Sequence, residues 1–78
     1  MNWHQTLTDI YHKLNESGFP ELSSEIHDEQ LKGSTGGEVL MLVLTKLMNI
    51  RESQPEAYKV IQNEAESLFE FAKSIGYL

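Results

Sequence analysis

Six consecutive apolar residues, Val39 to Leu44, stand directly behind a glycine-rich break and a helix-start signature. No other feature of the chain restricts its fold as much. The break is Lys32-Gly33-Ser34-Thr35-Gly36-Gly37-Glu38. Within it Thr35 and Glu38 have the T-x-x-E spacing of a capping box. There the hydroxyl accepts from the backbone N–H three residues on, and the carboxylate reaches back to the N–H of the capping residue. A carboxylate also suits the positive end of the helix dipole. The spacing predicts a helix from Gly36 to Glu52, apolar on every side over its first turns and continued by Leu47, Met48 and Ile50. The β-branched Val39 and Val43 admit a strand, but the run lacks period-two alternation and is bracketed by helix signals. A helix apolar all round needs neighbours on most faces, which places it centrally in a bundle.

The remaining segments supply those neighbours. Trp3, Leu7, Ile10, Tyr11 and Leu14 recur at helical spacing and predict helix one over Trp3–Ser17. Gly18 follows, where a left-handed cap residue belongs. Pro20 suits the first turn of a helix, because its missing N–H has no intrahelical acceptor there. Helix two, carrying Leu22 and Ile26 on one face, is expected to be short and to run from Pro20 to about Glu29. Ser53-Gln54-Pro55-Glu56 reads as a second capping box, with Ser53 as the cap. Beyond it Ala57, Tyr58, Ile61, Ala65, Leu68, Ala72 and Ile75 form a near-heptad seam, the pattern of near-parallel helix packing. Phe69 and Phe71 widen the seam, Gly76 ends it, and Tyr77-Leu78 is an apolar tail. The expected architecture is a single all-α domain over residues 1–78. It is a compact four-helix bundle with a short second helix and a central apolar third helix.

At 78 residues the chain buries only about 60% of its unfolded surface, so a homodimer interface would be a natural supplement to its core. Twelve acidic against six basic residues leave a formal charge of −6. The cations are scattered singly, which argues against nucleic acid and against an anionic membrane surface as partners. A basic protein would be steered toward such a surface. The longest apolar run is too short to span a bilayer. The N-terminal residues Met1 to Gln5 lack the basic and apolar segments of a signal peptide. There is no cysteine, which removes disulfides and thiolate metal sites and fits a reducing, cytoplasmic setting.

Few constellations carry chemistry. The turn Gly33, Ser34, Thr35, Gly36, Gly37 could present backbone N–H groups to an anion. A phosphate loop would place Lys beside the hydroxyl residue, where this chain has Glu38. Tight helix packing through small residues is the competing account. His4, His12 and His27 show neither the H-E-x-x-H spacing nor the Glu-x-x-His spacing of di-iron bundles, and read as surface residues. No G-x-S-x-G elbow is present, and Ser23, Ser24, Ser34 and Ser53 have turn or capping explanations. Catalysis and cofactors are therefore not expected. Glu25, Asp28 and Glu29 on helix two are the candidate acidic docking face; Glu64, Glu66 and Glu70 form a second group on helix four. Trp3, Phe19, Phe71 and Tyr77 sit at segment ends, either as interface anchors or as ordinary core.

The stretch from Gly33 to Met41, with Gln54-Pro55-Glu56-Ala57-Tyr58 and Ser74-Ile75-Gly76-Tyr77-Leu78, resembles a group of small, acidic, functionally uncharacterised bacterial helical proteins. Some of these are encoded near secreted toxins, which implies an immunity role. In size, acidity and helical content the chain is also similar to colicin-type immunity proteins. It lacks their paired-tyrosine recognition motif, so no binding residue carries over. The function expected is a non-enzymatic, acidic protein-interaction module, in its sharper form an inhibitor that occludes a basic partner. The alternatives are a structural or regulatory homodimer, or a bundle holding a small ligand.

Overall fold

The computed structural model describes residues Asn2–Leu78; Met1, and any expectation resting on it, lies outside the described residues. Four α-helices follow one another: α1 (Trp3–Glu16), α2 (Pro20–Lys32), α3 (Gly36–Ser53) and α4 (Pro55–Ser74). α1 packs against α2 and α4, and α3 packs against the same two, while the diagonal pairs lie further apart. The helices thus form a square, and the short connections make sequential neighbours antiparallel. The α1/α2 and α3/α4 connections lie at one end. The α2/α3 turn and both ends of the described chain lie at the other.

Each boundary has a local cause. Asn2 caps α1, its Oδ1 accepting from the Gln5 N–H at 3.3 Å. α1 ends on Gly18, whose φ of 86° needs a residue without Cβ. The Phe19 N–H reaches the Leu14 carbonyl at 2.8 Å, closing a Schellman turn. α4 ends in the same way, with Gly76 at φ 83° and the Tyr77 N–H on the Ala72 carbonyl at 2.8 Å. Pro20 and Pro55 open α2 and α4.

Two expected boundaries change. α2 continues three residues past Glu29 to Lys32, so it is the shortest helix by a single residue. Ser53 does not cap α4. It is the last residue of α3, with its hydroxyl donating to the Asn49 carbonyl at 2.8 Å, and Gln54 alone links the two helices without a side-chain cap. A one-residue connection leaves no extended residue for a capping hydroxyl ahead of Gln54.

The core draws on all four helices. Ile10, Leu14, Ile26, Val43, Leu44, Leu47, Ile50, Ile61 and Leu68 are completely buried. Each such side chain contributes about 1.5–3 kcal/mol relative to exposure. The α4 seam is buried from Ala57 to Ala72, whereas Ile75, past the last helical turn, is 46% exposed. α3 is the most apolar helix, but its neighbours are two, α2 and α4. Its outer side consequently keeps Met41 exposed and Val39, Leu42 and Met48 half-buried.

Candidate functional site

The carboxylates expected to form an acidic face on α2 are partly neutralised within the chain. Glu25 pairs with Lys46 of α3 at 2.8 Å, and Glu29 pairs with Lys32 at 3.0 Å along its own helix. Asp28 is exposed and forms no ion pair among the described residues. Of the three, one therefore offers an uncompensated charge. The sequence conceals this because Lys46 lies 21 residues from Glu25 and comes near only when α2 packs on α3.

The glycine-rich turn is filled by the chain itself. The Thr35 hydroxyl accepts from the Glu38 N–H at 3.2 Å, as the capping box requires. The carboxylate of Glu38 reaches back one residue further than expected, to Ser34 rather than Thr35. There it accepts from the backbone N–H at 3.2 Å and from the hydroxyl at 3.1 Å. An anion at this turn would meet Glu38 already holding those donors. A side chain at Gly33 would lie 2.7 Å from Val39, and one at Gly37 would collide with the Tyr77 hydroxyl. Both glycines thus permit close approach, the first of the turn to α3 and the second of the C-terminal tail to α3. Gly36 faces open space.

The four aromatic candidates divide. Trp3, Phe19 and Phe71 are half-buried and pack on the core, Trp3 also stacking on His4 with ring centroids 3.9 Å apart. Tyr77 is 40% exposed and covers Gly37. His4, His12 and His27 are all exposed, and His27 meets the Tyr11 ring edge-on. Among the described residues no three His, Asp or Glu side chains gather as a metal cluster.

Two polar contacts across helices escaped the sequence pattern. The Tyr11 hydroxyl donates to Gln30 Oε1 at 2.6 Å, and burial pushes its pKa up to about 12. Lys13 of α1 donates to Glu64 of α4 at 2.6 Å. Glu64 is only 16% exposed, and its second oxygen is buried without a protein hydrogen-bond partner. Glu64 is therefore a component of the α1/α4 contact, not of an open acidic face.

Uncompensated carboxylates collect at the end that holds the α1/α2 and α3/α4 connections. Glu16 ends α1, Glu21 opens α2, Glu52 lies in the last turn of α3 and Glu56 opens α4. All four are exposed, and among the described residues none belongs to an ion pair. Phe19, Glu21, Glu25 and Gln54 line one shallow concavity there. Arg51 and Lys59 are the cations of the adjoining turns. The sequence holds a signal for half of this cluster. Glu21 and Glu56 follow the preference of acidic residues for first helical turns, and antiparallel alternation sets both turns at one end; Glu16 and Glu52 stand in last turns, against that preference.

No helix of the described residues is long and apolar enough to cross a membrane. No family model matches the chain, and no curated protein or solved structure is similar enough to register as a match.

Proposed function

We propose that this chain is a cytoplasmic, non-enzymatic protein-interaction module, an immunity-type inhibitor that occludes a basic partner such as a nuclease toxin. The observation that carries this is the end of the bundle that holds Glu16, Glu21, Glu52 and Glu56, all exposed and in no ion pair among the described residues, with half-buried Phe19 lining a concavity beside Glu21. Short connections bring these helix ends together, and the summed field of their carboxylates speeds encounter with a cationic surface. Half-buried Phe19, in the concavity beside Glu21, supplies an apolar anchor at that end. Occlusion then follows from the carboxylates occupying the cations with which the partner would hold its own substrate.

The test compares the wild type with a variant carrying Glu16→Gln, Glu21→Gln, Glu52→Gln and Glu56→Gln as baits in cell lysate at low and moderate salt. A basic protein held by the wild type, released by added salt and not held by the variant is the expected result. The purified pair should then associate at least about tenfold more slowly for the variant at low salt. Retention that ignores these carboxylates, or the absence of any basic protein, sinks the proposal.

A further inference from the structure

The helix seams differ in how they are closed. A cross-helix ion pair closes α1/α4 (Lys13–Glu64) and another closes α2/α3 (Lys46–Glu25). Among the described residues no ion pair joins α3 to α4. A concavity on the outside of that seam is lined instead by Met48 and Arg51 of α3 with Glu66, Phe69, Glu70 and Lys73 of α4. The tail adds Leu78, which is 48% exposed. Arg51 lies over the Phe69 ring at 5.7 Å, and among the described residues none of the four charged groups is in an ion pair.

Two features of this face specify its occupant. Its side chains balance, two cations against two carboxylates, although those of the whole chain sum to −6. A second copy, repelled by most of the surface, meets no net repulsion here. The charges are also arranged for a two-fold axis. Glu66 and Lys73 are seven residues apart, two turns along one side of α4, with Phe69 and Glu70 midway between them. In a two-fold contact residue i meets j while j meets i. An axis opposite Phe69 and Glu70 sets the two α4 helices antiparallel, bringing each Glu66 to the other copy's Lys73. Arg51 and Glu70 remain near the axis as a second pair of opposite sign, around a centre of Met48, Phe69 and Leu78.

We propose that the outer face of the α3/α4 pair is a homodimer interface built on reciprocal Glu66–Lys73 contacts across antiparallel α4 helices. In this dimer the two acidic ends point in opposite directions, so the face is independent of the partner-binding end.

Sedimentation equilibrium of the whole chain, up to about 1 mM, tests it. The wild type is expected to reach twice the 8.9 kDa monomer mass. Glu66→Lys and Lys73→Glu should each weaken the dimer at least about tenfold, with helical circular dichroism unchanged. The double variant should recover the dimer, because each swapped charge again faces its opposite. An equimolar mixture of the two single variants should form a heterodimer for the same reason. A wild type monomeric throughout, a dimer indifferent to Lys73→Glu, or a double variant that stays monomeric overturns the proposal.

Discussion

The α3/α4 pair has an inner and an outer side made from the same two stretches of chain. Leu44, Leu47, Leu68 and Ala72 face inward and are completely buried. Met48 and Phe69, one residue further along each helix, are half-buried and border the outer concavity. Inside, apolar atoms meet apolar atoms from all four helices. Outside, apolar atoms lie among Arg51, Glu66, Glu70 and Lys73, which form no ion pair among the described residues. One rotation of about 100° per residue moves a side chain from one regime to the other. Stability is thus concentrated on the inner side, and the capacity to associate on the outer.

Substitutions on the inner side should break the comparison most. Leu47→Ala leaves a cavity where a completely buried side chain stood and should cost about 2–5 kcal/mol in urea unfolding. A loss below about 1 kcal/mol would mean that the inner side is less tightly packed than the burial implies. Next is the seam opposite. Lys13→Met leaves the nearly buried Glu64 with neither oxygen paired, and about 1–3 kcal/mol should be lost. Adding Glu64→Met should restore most of that loss if the pair, not the lysine stem, is responsible.

Gly37→Ala pushes Tyr77 off α3 and should cost about 1 kcal/mol, with tyrosine fluorescence reporting a more mobile ring. Replacing Tyr77 with Ala should suppress that sensitivity, since the obstacle is the ring itself. The Tyr11 contact is sharpened by alkaline pH. Its folded pKa of about 12 lies above the ordinary 10.0, so the folded state keeps the proton longer than the unfolded chain. The resulting stability is full below pH 10 and is lost as pH rises toward 12. Tyr11→Phe should flatten the unfolding profile in that window; an unchanged profile would assign the alkaline loss to other groups. On the outer side Lys73→Glu should change monomer stability by no more than about 0.5 kcal/mol, although it is expected to weaken self-association at least about tenfold.

Much of the architecture follows from patterns of short range. The stripe Leu7, Ile10, Leu14 and the seam from Ala57 to Ala72 name buried faces because helical periodicity sorts residues by side, whatever the neighbour. Gly18 and Gly76 are recognisable as left-handed caps because no other residue adopts that backbone as cheaply. The Thr35–Glu38 box is legible for a similar reason, since both groups lie within one turn. Where the local rule misled, a neighbouring constraint prevailed. At Ser53 the single-residue connection left no room for a second capping box.

The electrostatic surface belongs to another length scale. Glu25, Asp28 and Glu29 look like one acidic face in the sequence because they share a helix. The lysine that neutralises Glu25 arrives from α3, and the unpaired carboxylates gathered at one end of the bundle come from four different helix ends. The α3/α4 outer face was equally hidden: its cations and carboxylates become one neutral surface only when Arg51 is set beside α4. The sequence by itself therefore determined the helices, their buried sides and their caps, because those depend on groups within a few residues of one another. Which charges cancel, which remain free and which apolar atoms stay uncovered was decided by tertiary structure. Charge pairing and burial depend on distances between helices, and those exist only once the helices have packed.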